Sequence, residues 1–280
     1  MSINYSVIVP FRDKYDLFIK AVGSVPDRDD IQVIIIDNSP VPLDSDKIPI
    51  KNESLITYAV SSPTKGAGRA RNVGLTCVQG KFVLFLDADD YFAPNAFQLF
   101  DSYLDSNYDI VFFKSNSLNL VTGKQSTRHH VYNNSIDYYL STGCEDRIRF
   151  RFEPPWGKLY RSCFILSNPS IRFEEVKVNN DAWFSLMAGY NAGLITASKE
   201  TVYIITEGGN GSSLTKSKSF DNILIRYKCA IKTNTFLKKI GHNNQRIRLL
   251  GFIRLSLQSY GISKAILLVR IAVKNRVTIF

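Results

Sequence analysis

Lys81 to Asp90 (KFVLFLDADD) is the stretch on which the reading of this chain turns. An unbroken apolar run from Phe82 to Leu86 fits a strand covered on both faces, and such strands belong to parallel sheets flanked by helices. The run stops at Asp87-Ala88-Asp89-Asp90. Alternate residues of an extended segment point to the same side, so Asp87 and Asp89 can face one site together. Hard divalent cations take carboxylates of this kind along with substrate phosphate oxygens. The plainer alternative is a solvated acidic turn in which Asp90 caps a helix over Tyr91 to Phe100.

Upstream, Ser6 to Pro10 (SVIVP), Gln32 to Asp37 (QVIIID) and Leu55 to Val60 also read as strands. Helices are expected over Asp13 to Ser24 and over Gly68 to Val78, the second stopped by Gly80. This alternation predicts an α/β fold, a mainly parallel doubly wound sheet with helices on both faces. Ligands of such sheets bind beyond the carboxyl ends of the strands. Arg12 and Asp13, Asp37 and Asn38, and Asp87 to Asp90 all fall at those ends. Downstream the pattern is less regular: a strand-like Ile110 to Phe113, a turn at Thr122-Gly123, the punctuation Pro154-Pro155-Trp156-Gly157, a helix near Asp181 to Tyr190 and a strand at Thr201 to Ile205. Gly208 to Ser213 (GGNGSS) has the composition of a mobile loop.

The 280 residues, 45% hydrophobic and 21% charged, are those of a folded chain with a large core, which excludes disorder and a disulfide miniprotein. With no long uncharged apolar run, and no basic start leading into one, the expectation is a chain that neither spans a membrane nor is secreted. Cys77, Cys144, Cys163 and Cys229 share no C-x-x-C spacing and read as reduced thiols of a cytosolic protein. The net charge of +10 is unevenly spread. Residues 216–280 hold fourteen Lys and Arg against Asp221 alone, whereas residues 1–215 are mildly acidic. Residues 1–215 are therefore read as one domain, with a first half of nucleotide-binding architecture (1–100) and a less regular second half (101–215), followed by a basic helical C-terminal segment (216–280).

Lys65 to Asn72 (KGAGRARN) sets glycines beside Lys65, Arg69 and Arg71 ahead of a helix. Backbone N–H groups at a helix start and Arg side chains both suit a diphosphate, although three cations can also be an ordinary surface face. The ordered series SVIVP, IIIDNS, KGAGRARNVGL, FLDADD, PWGKLYR and NNDAWF resembles the inverting family 2 glycosyltransferases of the GT-A fold, over roughly residues 3–213. The resemblance implies that Pro10 shapes the base pocket and that Arg71 and Asn72 line the donor nucleotide. It implies that the acidic pair after the second strand reads the base. That pair is usually Asp-Asp; here it is Asp37-Asn38, and an Asn carbonyl can accept a hydrogen bond from uracil N3–H. Asp87 is implied to touch the nucleotide, and Asp89 to reach a divalent cation, Mn²⁺ or Mg²⁺, that steadies the departing diphosphate.

Asp181 is the candidate general base. The resemblance leads one to expect Glu-Asp at the head of this helix, and the sequence has Asn180-Asp181, so Asp181 is expected to keep a lower pKa than a paired acid would. The plain alternative is that Asp181 only charges the first helical turn. Glu174 and Glu175 are the reserve candidates. Trp156 is either an acceptor platform or a core residue, and the loop from Gly208 either a lid or a hairpin turn.

Together these expectations describe a metal-dependent inverting glycosyltransferase of hexosyltransferase type. It would move sugar from a nucleotide-sugar donor, a UDP-sugar, to a hydroxyl of a glycan or lipid-linked glycan acceptor in cell-surface polysaccharide synthesis. A sugar-nucleotide nucleotidyltransferase would need a Gly-rich loop after the first strand, where this chain reads PFRDKYD. A non-catalytic subunit of the same fold is the other alternative, raised by Asn38 and Asn180. In the tail, Arg246 to Leu257 and Ile262 to Val273 mix Leu and Ile with cations. A nucleic-acid binder would interleave polar and aromatic contacts, so no nucleic acid is expected. The mixture suits an anionic membrane surface, which would place the chain in the cytoplasm, peripheral on the inner face of the plasma membrane. Alternatively the apolar faces pack on the catalytic body.

Overall fold

The computed structural model describes residues 2–13, 15–43, 48, 56–62, 66–208 and 219–279. The β-branched run predicted as the first strand forms β1 (Tyr5–Phe11), and helix α1 (Tyr15–Gly23) leads into β2 (Ile31–Asp37). Then follow β3 (Ile56–Val60), α2 (Gly66–Leu75) and β4 (Phe82–Phe85). β1 pairs in parallel with both β2 and β4, and β2 with β3. The register sets Phe11 opposite Asp37 and Asp37 opposite Val60, so the polar ends of these strands finish on one edge. Leu86 N extends the ladder to Ile8 O just before the aspartates begin.

The chain continues through β5 (Tyr91–Phe92), α3 (Ala96–Asp101), β6 (Ile110–Asn119), α4 (His130–Thr142), α5 (Asp146–Arg151), β7 (Lys158–Arg161), α6 (Ser162–Ser167), α7 (Ala182–Asn191) and β8 (Ile195–Glu207). One eight-stranded sheet results, in the order β3-β2-β1-β4-β7-β6-β8-β5. Strands β7 and β5 run against the other six. This is the expected mixed α/β sheet, mostly parallel, wrapped by helices.

Three local expectations are corrected. The helix assigned to Tyr91 to Phe100 is a two-residue strand followed by a helix from Ala96, because Tyr91 and Phe92 pair with Ile204 and Tyr203 of β8. Asp90 therefore caps no helix. Gly80 does not end α2 in a left-handed turn. It is required because a Cβ there would lie 2.6 Å from the backbone of Tyr5 and Ser6, where the turn into β4 crosses β1. The strands seen as short in the second half are long: β6 and β8 pair over their whole lengths with bulges near Lys114, their alternation hidden by the polar positions 114–117 and 119.

The core runs continuously from β1 to β8 and is rich in aromatic rings. Phe85 of β4 meets Tyr160, Phe173 and Phe184 edge-on at 5.7, 5.2 and 5.3 Å, and Phe173 stacks on Phe184 at 4.0 Å. Phe85 lies two residues before Asp87, and Phe184 three after Asp181. The cluster thus fixes the aspartate turn relative to the head of α7. The C-terminal segment forms α8 (Phe220–Lys239), a short 3-10 turn at Asn243–Gln245, α9 (Leu250–Tyr260) and α10 (Ile262–Lys274). Its helix α8 packs on the body, with Leu237 buried against Phe150 and Leu186, and α9 and α10 close a second small core on α8 around Tyr227, Leu249 and Leu268. The four cysteines are free, and among the described residues no helix is long and apolar enough to cross a membrane.

Candidate active site

At the end of β2, Asp37 is fully buried. Its Oδ1 accepts from Ser39 N at 2.8 Å, and its Oδ2 accepts from Leu43 N at 2.5 Å and from the Tyr58 hydroxyl at 2.7 Å. Burial pushes this carboxyl up, but the three donors outweigh it and hold it below the ordinary carboxylate range. Asn38 is also buried. Its N–H donates to Phe11 O, and its side-chain Oδ1 has no partner among the described residues. Pro10 is half-buried at the end of β1, and Arg12 is exposed, 3.3 Å from Asp13. Lys65 and the loop from Gly209 to Ser213 lie outside the described residues.

The end of β4 is built differently. Asp87, Ala88 and Asp89 are half-buried, whereas Asp90 is buried beneath them. Asp90 accepts from the Tyr203 hydroxyl at 3.0 Å and from Thr206 N at 2.7 Å, and the Thr206 hydroxyl donates to Asp89 O. The Tyr203 oxygen also accepts from Asp87 N at 3.1 Å. Burial, then Asp89 and Asp87, push the Asp90 carboxyl well above its ordinary value. Strand β8 therefore pins the acidic turn from below. Trp156 takes the core side of its two readings: it is 3% exposed and stacks on Tyr203 at 4.9 Å with the rings 6° from parallel. Through Tyr203 it steadies the aspartates.

Arg71 joins this turn to α7. Its side chain is buried, and its guanidinium donates to Asp87 Oδ1 at 2.5 Å and to Asn180 Oδ1 at 2.9 Å. Burial opposes its charge, and the nearby Asp87 and Asp181 prevail, so its pKa is raised. Asn180 thus gives Arg71 a neutral acceptor at the position where the resemblance led us to expect Glu. Asn72, one residue on, holds the backbone of Phe173 with both ends of its amide, at 3.0 and 2.9 Å. Gly68 allows this approach, because a Cβ there would sit 2.1 Å from Glu174 O.

Asp181 occupies the N-cap position of α7 but makes no side-chain capping bond, so its carboxylate is not spent on the helix. Its pKa is raised, first by burial, with Asp87 adding to the rise and Arg71 and Lys158 opposing it. Burial, rather than the acid missing at 180, dominates this carboxyl. The reserve candidates are engaged elsewhere: Glu174 pairs with Lys232 of α8 at 2.7 Å and Glu175 with Arg69 at 3.0 Å.

Three residues given no role in the sequence reading, Lys158, Ser185 and Glu153, belong here. Lys158 is buried, and its Nζ donates to Phe152 O at 2.7 Å and to the Ser185 hydroxyl at 3.2 Å. Ser185 lies on α7 one turn after Asp181 and donates to Pro154 O at 3.3 Å. Lys158 and Ser185 therefore grip the backbone on both sides of Glu153 and tie it to the head of α7. Burial, then Asp181, raise the pKa of Glu153, while burial pulls Lys158 well below its ordinary value against the pull of Asp181 and Glu153. The Lys of PWGK is turned inward by the pairing of β7 between β4 and β6.

These carboxylates fit a hard cation. Asp87 and Asp89 keep part of their surface, while Asp90 beneath them is held by Tyr203 and Thr206. Among the described residues no group of three or more His, Cys, Asp and Glu converges, so a Mn²⁺ or Mg²⁺ ion there would draw its other ligands from phosphate oxygens and water.

The family model described as glycosyl transferase family 2 matches residues 6–165. Among curated proteins, the chain is 23% identical over 223 residues to poly(ribitol-phosphate) β-N-acetylglucosaminyltransferase TarS of Staphylococcus aureus, covering 77% of this chain and 37% of that protein. It is 22% identical over 206 residues to a poly(ribitol-phosphate) β-glucosyltransferase of Bacillus spizizenii, covering 71% and 31%. The chain thus spans about a third of the length of the curated relatives it matches. Among solved structures, TarS 1–349 from S. aureus in complex with UDP-GlcNAc has the same fold, with a TM-score of 0.65 at 20% identity, covering 94% of this chain and 79% of that one. So does the mannosyltransferase PcManGT of Pyrobaculum calidifontis in complex with GDP-Man and Mn²⁺, with a TM-score of 0.58 at 13% identity, covering 98% and 81%. With the model matched over more than half of its length, the chain belongs to glycosyl transferase family 2.

Proposed function

We propose that this chain is an inverting glycosyltransferase, of hexosyltransferase type, that uses a UDP-sugar and a divalent cation and transfers the sugar to a hydroxyl of a glycan or lipid-linked glycan in cell-surface polysaccharide synthesis. One observation carries the reading. Arg71 links the aspartate turn to the head of α7, so that Asp181, a carboxyl made more basic by burial, stands in the electrostatic reach of Asp87. The TarS complex with UDP-GlcNAc supports a uridine donor, and the Mn²⁺ in the mannosyltransferase complex supports a cation.

Asp181 takes the proton of the acceptor hydroxyl, and that oxygen bonds to the anomeric carbon. The bond from this carbon to the diphosphate oxygen breaks, its electron pair leaves with UDP, and the configuration inverts. Asp89, with Asp87, would hold the cation, which when bound supplies charge stabilisation to the departing diphosphate. Arg71 and Lys158 oppose the burial that raises the pKa of Asp181. The place of work is the cytoplasmic face of the plasma membrane, where lipid-linked acceptors present their hydroxyls.

Incubation of the purified protein with UDP-, GDP- and dTDP-sugars, with Mn²⁺ or with chelator, tests the reading. Nucleotide release from a UDP-sugar only with the cation, and inversion seen by NMR of the product, are expected. Release from GDP- or dTDP-sugars alone, indifference to chelator, or a retained configuration contradicts it. Asp89→Ala should abolish metal-dependent UDP binding in calorimetry with an unchanged circular dichroism spectrum.

A further inference from the structure

Helix α10 carries two apolar stripes where a helix of a packed hairpin needs one. Ala265, Leu268 and Ala272 are buried and face α8 and α9. About a quarter-turn around the helix, Ile262, Ile266 and Val273 form a second stripe at spacings of four and seven residues, and they are 69%, 43% and 68% exposed. Beyond that stripe in the same rotation come Arg270 and Lys274, both exposed. Neither they nor Arg254 on α9 pair with a carboxylate among the described residues. The sequence has no Asp or Glu at all between Asn222 and Phe280.

We infer that this outer face of α10 is a docking surface for anionic lipid, on which the helix lies in the plane of the headgroups. Charge decides the occupant. A second copy meeting the same face would set Arg270 and Lys274 against themselves, and a nucleic acid would leave the isoleucine and valine stripe uncovered. An anionic bilayer satisfies both parts, with the cations at headgroup level and the stripe at the acyl boundary. Thirteen residues of helix span roughly 20 Å, enough to lie along the interface and too short to cross it. Helix α8 is not part of this surface, because its apolar side is committed to the body and its Lys232 to Glu174. The surface is separate from the transfer site, so its test reads lipid binding rather than turnover.

Truncation is unsuitable, since α9 and α10 complete the core of α8. Surface variants of the full chain serve instead, sedimented with vesicles of phosphatidylglycerol and phosphatidylcholine or of phosphatidylcholine alone. Wild type is expected to sediment with the anionic vesicles at low salt, to be released by high salt and to leave the neutral vesicles unbound. Arg270→Glu with Lys274→Glu should weaken binding by roughly 30-fold or more, each cation contributing about fivefold. Ile262→Ser with Val273→Ser should weaken it without changing the circular dichroism spectrum. UDP affinity should be unaltered in both. Wild type that stays in the supernatant, or variants that bind as well as wild type, overturn the proposal. So does a dimer in light scattering that the serine variant abolishes, which would give the face to a second copy.

Discussion

Strands β2 and β4 flank β1 on either side, and each delivers aspartates to the same edge of the sheet, yet the two ends are wired in opposite ways. Asp37 is surrounded by donors from its own loop and from Tyr58, every one neutral, and its charge is stabilised locally. At the end of β4, Arg71 from α2 pairs with Asp87, while Asp90 is buried on Tyr203 and Thr206 and is pushed up first by burial and then by Asp89 and Asp87. The β2 end is settled by the fold. The β4 end keeps two half-buried carboxylates, Asp87 and Asp89, at the surface, where the proposed function would place a cation and a substrate.

Breaking the link that Arg71 makes should have the largest effect on stability. Arg71→Met leaves Asp87 and Asp181 unneutralised in partly buried positions and removes a donor from Asn180. A loss of about 3 kcal/mol is expected in urea unfolding. A change below about 1 kcal/mol would mean that the turn and α7 are held by the aromatic cluster alone.

Asp37→Asn should cost less, about 1–2 kcal/mol, because one of its oxygens becomes a donor facing donors. The sign of the pH dependence sharpens the contrast. The folded pKa of Asp37 lies below its unfolded value, so the unfolded chain protonates first as pH falls. Its contribution is complete above about pH 4 and is lost below it. Asp90 is the reverse: the folded state keeps its proton longer, so stability falls as pH rises from about 4. Unfolding curves in chelator should show Asp37→Asn closing on wild type as the pH drops below 4. Asp90→Asn should gain on wild type as the pH rises to 8. Parallel behaviour of the two variants would erase the distinction drawn between the strand ends.

The smallest effect on stability is expected at Lys158. Lys158→Met removes the bonds of the amine to Phe152 O and the Ser185 hydroxyl and should cost about 1 kcal/mol. Asp181 loses a cation that pulls its pKa down, so the acid limb of the kcat/KM profile should move to higher pH. An unmoved limb with reduced activity would leave Lys158 a purely structural clamp.

How far the sequence could be read depended on where each residue's partners come from. The apolar strands, the glycines of α2 and the aspartate turn are local signals, and they placed β1, β2, β4 and the edge that carries the site. Lys158, Glu153 and Tyr203 were invisible because their partners lie on other elements: Lys158 is turned inward only when β7 pairs beside β4, and Tyr203 meets Asp90 only when β8 pairs with β5. Trp156 illustrates the same limit, since an indole between prolines and glycine looks alike whether it faces a sugar or, as here, a buried tyrosine. The tail was legible as basic and helical, but which helix is committed to the body depended on Leu237, Phe150 and Leu186 meeting across long sequence distances.

The central claim of the proposed function is that the end of β4 and the head of α7 form one transfer site with Asp181 as its base. The most direct measurement compares wild type with Asp181→Asn in two assays on the same preparation, calorimetric UDP binding and sugar transfer from a UDP-sugar. The account predicts unchanged UDP affinity and a fall in transfer of roughly 10²- to 10⁴-fold, because an amide cannot take the proton. Near-normal transfer by the variant, with UDP binding intact, would contradict it and move the base to another group.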